Sequence, residues 1–194
     1  AAEGEIMALT PQLFRKVFKQ MGKRKLPVIL RSPGGSINAA VEIGQMIRKR
    51  GLITGVSNTV YRGCSPFDKN CKLPDANNGV YDGSLDEMYA FCNSACPMIL
   101  AGGVERYAGA FSSIGVHEPK TVWTREQVRY RETYKMVRGK KKVVSRKIIG
   151  RKQLRDKVTY GLDKRLRRQL TQHYQSLGIN LAILDDTVKA KYSD

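Results

Sequence analysis

The sequence predicts an α/β fold followed by a strongly basic, mainly helical region. Three observations carry this expectation: a strand, glycine turn, helix and strand in succession between residues 26 and 61; a polar insert after them; and a shift to charged sequence beyond Lys120. At 194 residues the chain suits one domain, or one domain with an appended arm. Its 41% apolar share is a little below the globular average but still allows a real core.

The elements run in order along the chain. "LTPQLFRKVFKQM" places Leu13, Val17, Phe18 and Met21 at helical spacing, with Thr10 as N-cap and Pro11 as first helical residue. "LPVILRS" is a short apolar run, the signature of a buried strand, and "SPGGS" breaks it. "INAAVEIGQMIRKRG" resumes the helical period through Ile37, Ala40, Val41, Gly44 and Ile47; its last turn is basic and Gly51 stops it. "LITGVSNTVY" is again strand-like, which completes a βαβ unit with a parallel pair.

Residues 62–87 are polar and rich in Gly, Asn, Asp and Pro, and read as an inserted loop that a Cys64–Cys71 link could hold. "EMYAFCNSACPMILAGG" passes from a short strand into a helix, and "SIGVH" is a further short strand ending on His117. From Thr121 onwards the sequence reads as charged helix interrupted by Gly139, Gly150 and Gly161. The expected division is therefore residues 1–119 as the α/β core and 120–194 as the basic helical region.

The formal charge of +18 is unevenly spread: between Lys120 and Arg168 there are nineteen Lys and Arg against four acids. A localised excess points to an anionic partner, whether lipid headgroups, nucleic acid or an acidic protein; a solvated helical arm is the plainer reading. Tyr130, Tyr134 and Tyr160 interleave with the basic residues, but no nucleic-acid motif accompanies them, which disfavours that partner. No run approaches the ~20 apolar residues of a membrane helix. The opening "AAEGEIMALT" has no signal-peptide pattern and fits either a processed end or a chosen boundary. Four cysteines (Cys64, Cys71, Cys92, Cys96) permit two disulfides in three connectivities, and their spacing does not match a zinc knuckle. Disulfides would imply an oxidising compartment.

Three groups could do chemistry. Ser94 stands at a strand-to-helix turn, where free N–H groups could hold an oxyanion; the plainer reading is a helix cap. The glycines of "SPGGS" permit unusual backbone angles and close ligand approach, or simply make a tight turn. His117, at a strand end before Glu118-Pro119, has the ordinary pKa range of a general base; a polar surface role is the alternative. Each signal alone is weak, but their order along the chain is specific.

That order resembles the Clp protease proteolytic subunit and the wider ClpP/crotonase superfamily, through "LRSPGGSINAAVEIGQMIR", "CNSACPMILAGGVERYA" and "SSIGVHEP". The resemblance covers roughly residues 4 to 119. It implies a repeated ββα spiral core, Ser94 as nucleophile, His117 as base, and Gly34 (with Gly35 beside it) and Ala95 as oxyanion donors. The family's third member is a downstream acid, but its recognisable segment is missing here. Asp156 and Asp163 lie at about the right distance, and Asp163 is taken as the expected third catalytic residue. A Ser–His dyad or a Ser–Lys pair is the alternative. Glu118 neighbours His117 on a strand and so points to the opposite face. The "SAC" form looks most like a periplasmic branch. The resemblance thus implies a serine peptidase acting on peptide or protein, homo-oligomeric, and exported in either a free or a membrane-associated form, with no cofactor and no metal. The alternative is a catalytically inactive oligomeric scaffold whose basic arm binds a membrane surface or acidic partner.

Overall fold

Apolar runs of strand and helix period alternate through the first 118 residues and become strands and helices, but "LITGVSNTVY" divides into two strands and "SIGVH" is strand only to Gly115, so His117 lies two residues beyond its end. The computed structural model describes residues 1–62, 64 and 81–191. Strand β1 (Ala2–Glu3) leads to helix α1 (Thr10–Met21), which buries Phe18 with Phe14 edge-on to it. Thr10 is the first helical residue and not the cap: Leu9 takes that place, and the Thr10 hydroxyl accepts from the Met7 amide at 2.9 Å. Strand β2 (Val28–Arg31) buries Val28 and Leu30. Helix α2 (Ile37–Arg50) starts at Ser36, whose Oγ accepts from the Ala39 amide, and ends at Gly51 in the left-handed region. Its buried side is Ala39, Ala40, Val41, Ile43, Gly44 and Ile47. Strand β3 (Thr54–Val56) then pairs in parallel with β2, Val28 opposite Thr54 and Leu30 opposite Val56. This is the expected βαβ unit.

Strand β4 (Asn58–Tyr61) pairs antiparallel with β5 (Gly83–Asp86), so the end of the expected insert is a paired strand and not loop. The expected Cys64–Cys71 link involves residue 71, which lies outside the described residues. Strand β6 (Phe91–Asn93) leads to a short helix α3 (Cys96–Leu100). Strand β7 (Arg106–Ala108) completes a parallel sheet in the order β1-β2-β3-β7. Strand β8 (Ser113–Gly115) pairs in parallel with β6.

The expected helical arm is instead a pair of strands. Strand β9 (Lys120–Val137) and strand β10 (Lys140–Tyr160) form one long antiparallel ribbon. Arg138 and Gly139 make its two-residue turn, both with positive φ, as the hairpin turn matching strand twist requires. Val128, Tyr130, Tyr134 and Met136 recur at even positions, a period of two that favours a strand over a helix. Helices resume only with α4 (Lys164–Ser176) and α5 (Ala182–Lys189). Two compact units result, Ala1–Glu118 with Leu162–Asp194, and Pro119–Gly161.

The core belongs to the first unit. Ile43 and Ile47 of α2, Leu30 of β2, Cys92 and Cys96, and Leu170 and Tyr174 of α4 form one buried cluster. Residues 162–191 therefore belong to the α/β body, not to an arm.

Candidate active site

Three chain segments leave the carboxyl ends of neighbouring parallel strands at one edge. Beyond β2, the Ser32 amide donates to the Phe91 carbonyl at 3.0 Å, and the Asn93 amide donates to the Ser32 carbonyl at 2.9 Å. The "SPGG" turn is thereby fixed beside β6. On the other side of β6, Asn93 is in register with Gly115, and the Ser94 amide donates to the Gly115 carbonyl at 2.8 Å. Ser94 and His117 thus both emerge at this edge, each half-buried.

Ser94 occupies the turn between β6 and α3 with φ of 61°, a left-handed conformation that costs a non-glycine residue roughly 1–2 kcal/mol. The Cys92–Cys96 disulfide closes across this turn, with Cα atoms 5.1 Å apart. The link forms because Cys92 lies in the strand and Cys96 opens the helix; two cysteines four apart within one helix would not converge this way. The helix is only five residues long, so its dipole adds little to the free N–H groups at this turn.

Gly34 packs directly on this turn. A Cβ at Gly34 would lie 2.4 Å from the Ser94 Cβ and 2.7 Å from the Asn93 carbonyl oxygen, and its φ of 105° also excludes side chains. The same hypothetical atom would be 3.0 Å from the Ala95 amide nitrogen, so Gly34 and Ala95 share one small space beside Ser94. The Gly34 amide itself donates to the buried Ser32 hydroxyl at 3.1 Å. Gly35 is held elsewhere: it bridges to Ile6, whose amide donates to the Gly34 carbonyl at 2.7 Å.

His117 Nδ1 lies 2.8 Å from the Glu118 carbonyl oxygen, a backbone acceptor. Asp163, expected as the third catalytic residue, is an exposed N-cap: its Oδ1 accepts from the Leu166 amide at 2.7 Å at the start of α4. Asp156 lies in the ribbon. Ser32 lies in the stretch expected only as a turn, and His173 in the stretch expected as charged helix. His173 is in fact 1% exposed, with Nε2 at 3.0 Å from the Met98 carbonyl and no partner for Nδ1 among the described residues. Burial pushes its pKa below the ordinary histidine value, partly opposed by the Met98 hydrogen bond.

An apolar cleft of about 400 Å³ runs between α1 and the sheet, lined by Ile6, Leu13, Phe14 and Leu30, with Ser32 and Cys96 also in its wall. Among the described residues no cluster of His, Cys, Asp and Glu is arranged to hold a metal ion, and no helix is long and apolar enough to cross a membrane.

No family model matches the chain, and no curated protein does. Among solved structures the chain is similar to a mutant of the 1510-N membrane-bound stomatin-specific protease, at 15% identity and a TM-score of 0.48. The alignment covers 96% of this chain and 66% of that one, so this chain spans just under two thirds of that protein's length.

Proposed function

We propose that the protein is a ClpP-like serine peptidase. The observation that carries the reading is Ser94 itself: a serine with left-handed backbone on a strand-to-helix turn, packed on Gly34, at the strand edge from which His117 also emerges. A strained turn of this kind holds a serine hydroxyl clear of the backbone and out to substrate.

In this mechanism Ser94 Oγ forms a bond to the scissile carbonyl carbon as its proton passes to His117. The Glu118 carbonyl accepts from Nδ1–H, which leaves the base lone pair on Nε2. The carbonyl oxygen becomes an oxyanion held by the Gly34 and Ala95 amides, so the Gly34 amide must exchange Ser32 Oγ for it. Collapse breaks the C–N bond, the departing amine takes the proton from His117, and water then hydrolyses the acyl-enzyme by the same route. Asp163 has no part in these steps, and the backbone carbonyl orients the imidazole in its place. Peptides with an apolar side chain suit the adjacent cleft. The Cys92–Cys96 bond supports an exported protein in an oxidising compartment. The resemblance supports a homo-oligomer.

The Gly34 amide's existing bond to Ser32 favours a second reading, a ClpP-like scaffold without catalysis. A fluorophosphonate probe separates the two. Oxidised protein is expected to be labelled at Ser94, with labelling abolished in Ser94→Ala and at least tenfold slower in His117→Ala. Unlabelled, folded wild-type protein would establish the scaffold instead.

A further inference from the structure

The ribbon separates its side chains by character. Residues directly opposite share a face, so the register assigns every paired position. On one face Tyr134 meets Val143, Tyr130 meets Ile148 and Val122 meets Val158. Both acids of this face are paired: Arg146 binds Glu132 at 2.6 Å and lies over the Tyr130 ring, and Arg151 binds Glu126 at 2.9 Å; of its other cations, Lys141 lies over Tyr134 and Lys120 stands opposite Tyr160. On the other face every charged residue of the register is Lys or Arg. Arg131 stands opposite Lys147, and Lys135 opposite Lys142. Like charges placed directly across a strand pair oppose its formation.

Both faces are thus left incomplete. A two-stranded ribbon is marginal in water by itself, yet this one exposes Tyr130, Tyr134, Val143 and Ile148 by 43–51% on its apolar face. Its opposite face carries unmatched positive charge along strands of 18 and 21 residues, about 60 Å in extent.

We infer that the ribbon lies flat on an anionic lipid bilayer, as the strand counterpart of an amphipathic interfacial helix. A sheet has about the same thickness as such a helix, so the aromatic and aliphatic face reaches the acyl boundary while the long Lys and Arg side chains remain among the headgroup phosphates. This partner satisfies both faces at once. A nucleic acid would neutralise the cations but leave the apolar face in water, and only Trp123 on the basic face offers a ring for stacking. A second copy could cover the apolar face but would leave the like-charge pairs uncompensated. The inference does not depend on the peptidase reading, since it uses no residue of the proposed site.

Co-sedimentation of the full chain with phosphatidylcholine vesicles, with and without phosphatidylserine, tests it. Binding is expected only to the anionic vesicles and should weaken with added salt. The double variant Arg131→Glu, Lys147→Glu is expected to lower affinity at least tenfold, from about fivefold per cation lost. Tyr130→Ser with Tyr134→Ser should also lower it while leaving the salt dependence in place. Thermal midpoints confirm that each variant is folded, and Lys135→Gln with Lys142→Gln replaces any that is not. Equal binding to neutral vesicles, or none to either kind, overturns the proposal. So does tight, salt-dependent binding to duplex DNA, or dimerisation that the tyrosine variants abolish, where vesicles are not bound.

Discussion

Ser94 is held where serine is conformationally uncomfortable, and this makes its cost measurable. At φ of 61° a glycine sits without penalty, whereas alanine keeps the Cβ that causes the strain. Ser94→Gly is therefore expected to be more stable than Ser94→Ala by about 1 kcal/mol in denaturant unfolding, though neither reacts with a serine probe. Equal stabilities would mean that the turn carries no strain. His173 offers a second test at this scale. Its pKa is lowered by burial, so the folded state disfavours a proton that the unfolded chain takes up near pH 6.5. The stability this neutral residue supports is complete above that pH, and is lost as pH falls from about 6.5 toward the lowered folded value. His173→Gln keeps a donor for the Met98 carbonyl but cannot ionise. Its thermal midpoint should decline less steeply between pH 7.5 and 5.5, and identical slopes would dismiss His173 as the cause.

At the scale of elements, the α4 start divides two roles for one carboxylate. Asp163 Oδ1 caps the helix through the Leu166 amide, so Asp163→Ala should cost about 1 kcal/mol of stability and leave the rate of fluorophosphonate labelling unchanged. A folded variant that no longer labels would restore Asp163 as the partner of His117. Much at this scale was legible in the sequence. The βαβ unit, the Ser36 and Gly51 boundaries of α2 and the strand before Ser94 followed from apolar period and cap chemistry. The ribbon's many Lys and Arg residues suggest a solvated helix, while the alternation of Val128, Tyr130, Tyr134 and Met136 with charged neighbours is the stronger signal, and the structure follows it. The capping contact of Asp163 is not legible either: distance along the chain says nothing about which amide a carboxylate meets. Likewise, only three-dimensional packing could show that Ser32 takes the Gly34 amide.

Across the whole molecule, the charge and the core are carried by different segments. The buried cluster draws on residues 6 to 101 and 170 to 184, and no described ribbon residue belongs to it. Most of the +18 charge lies in the ribbon. Its ends meet, because the Gly161 amide donates to the Pro119 carbonyl at 3.0 Å, so residues 121–159 can be replaced by a short Gly-Ser turn without stretching the chain. The shortened protein should unfold cooperatively with a thermal midpoint within a few degrees of the full chain, since every residue of that cluster is kept. It should still label at Ser94 if the peptidase reading holds, and it should no longer sediment with anionic vesicles. Vesicle binding that survives the replacement would move the membrane contact off the ribbon. A molten, non-cooperative product would show that the α/β body needs the ribbon to fold, against the separation of core from charge.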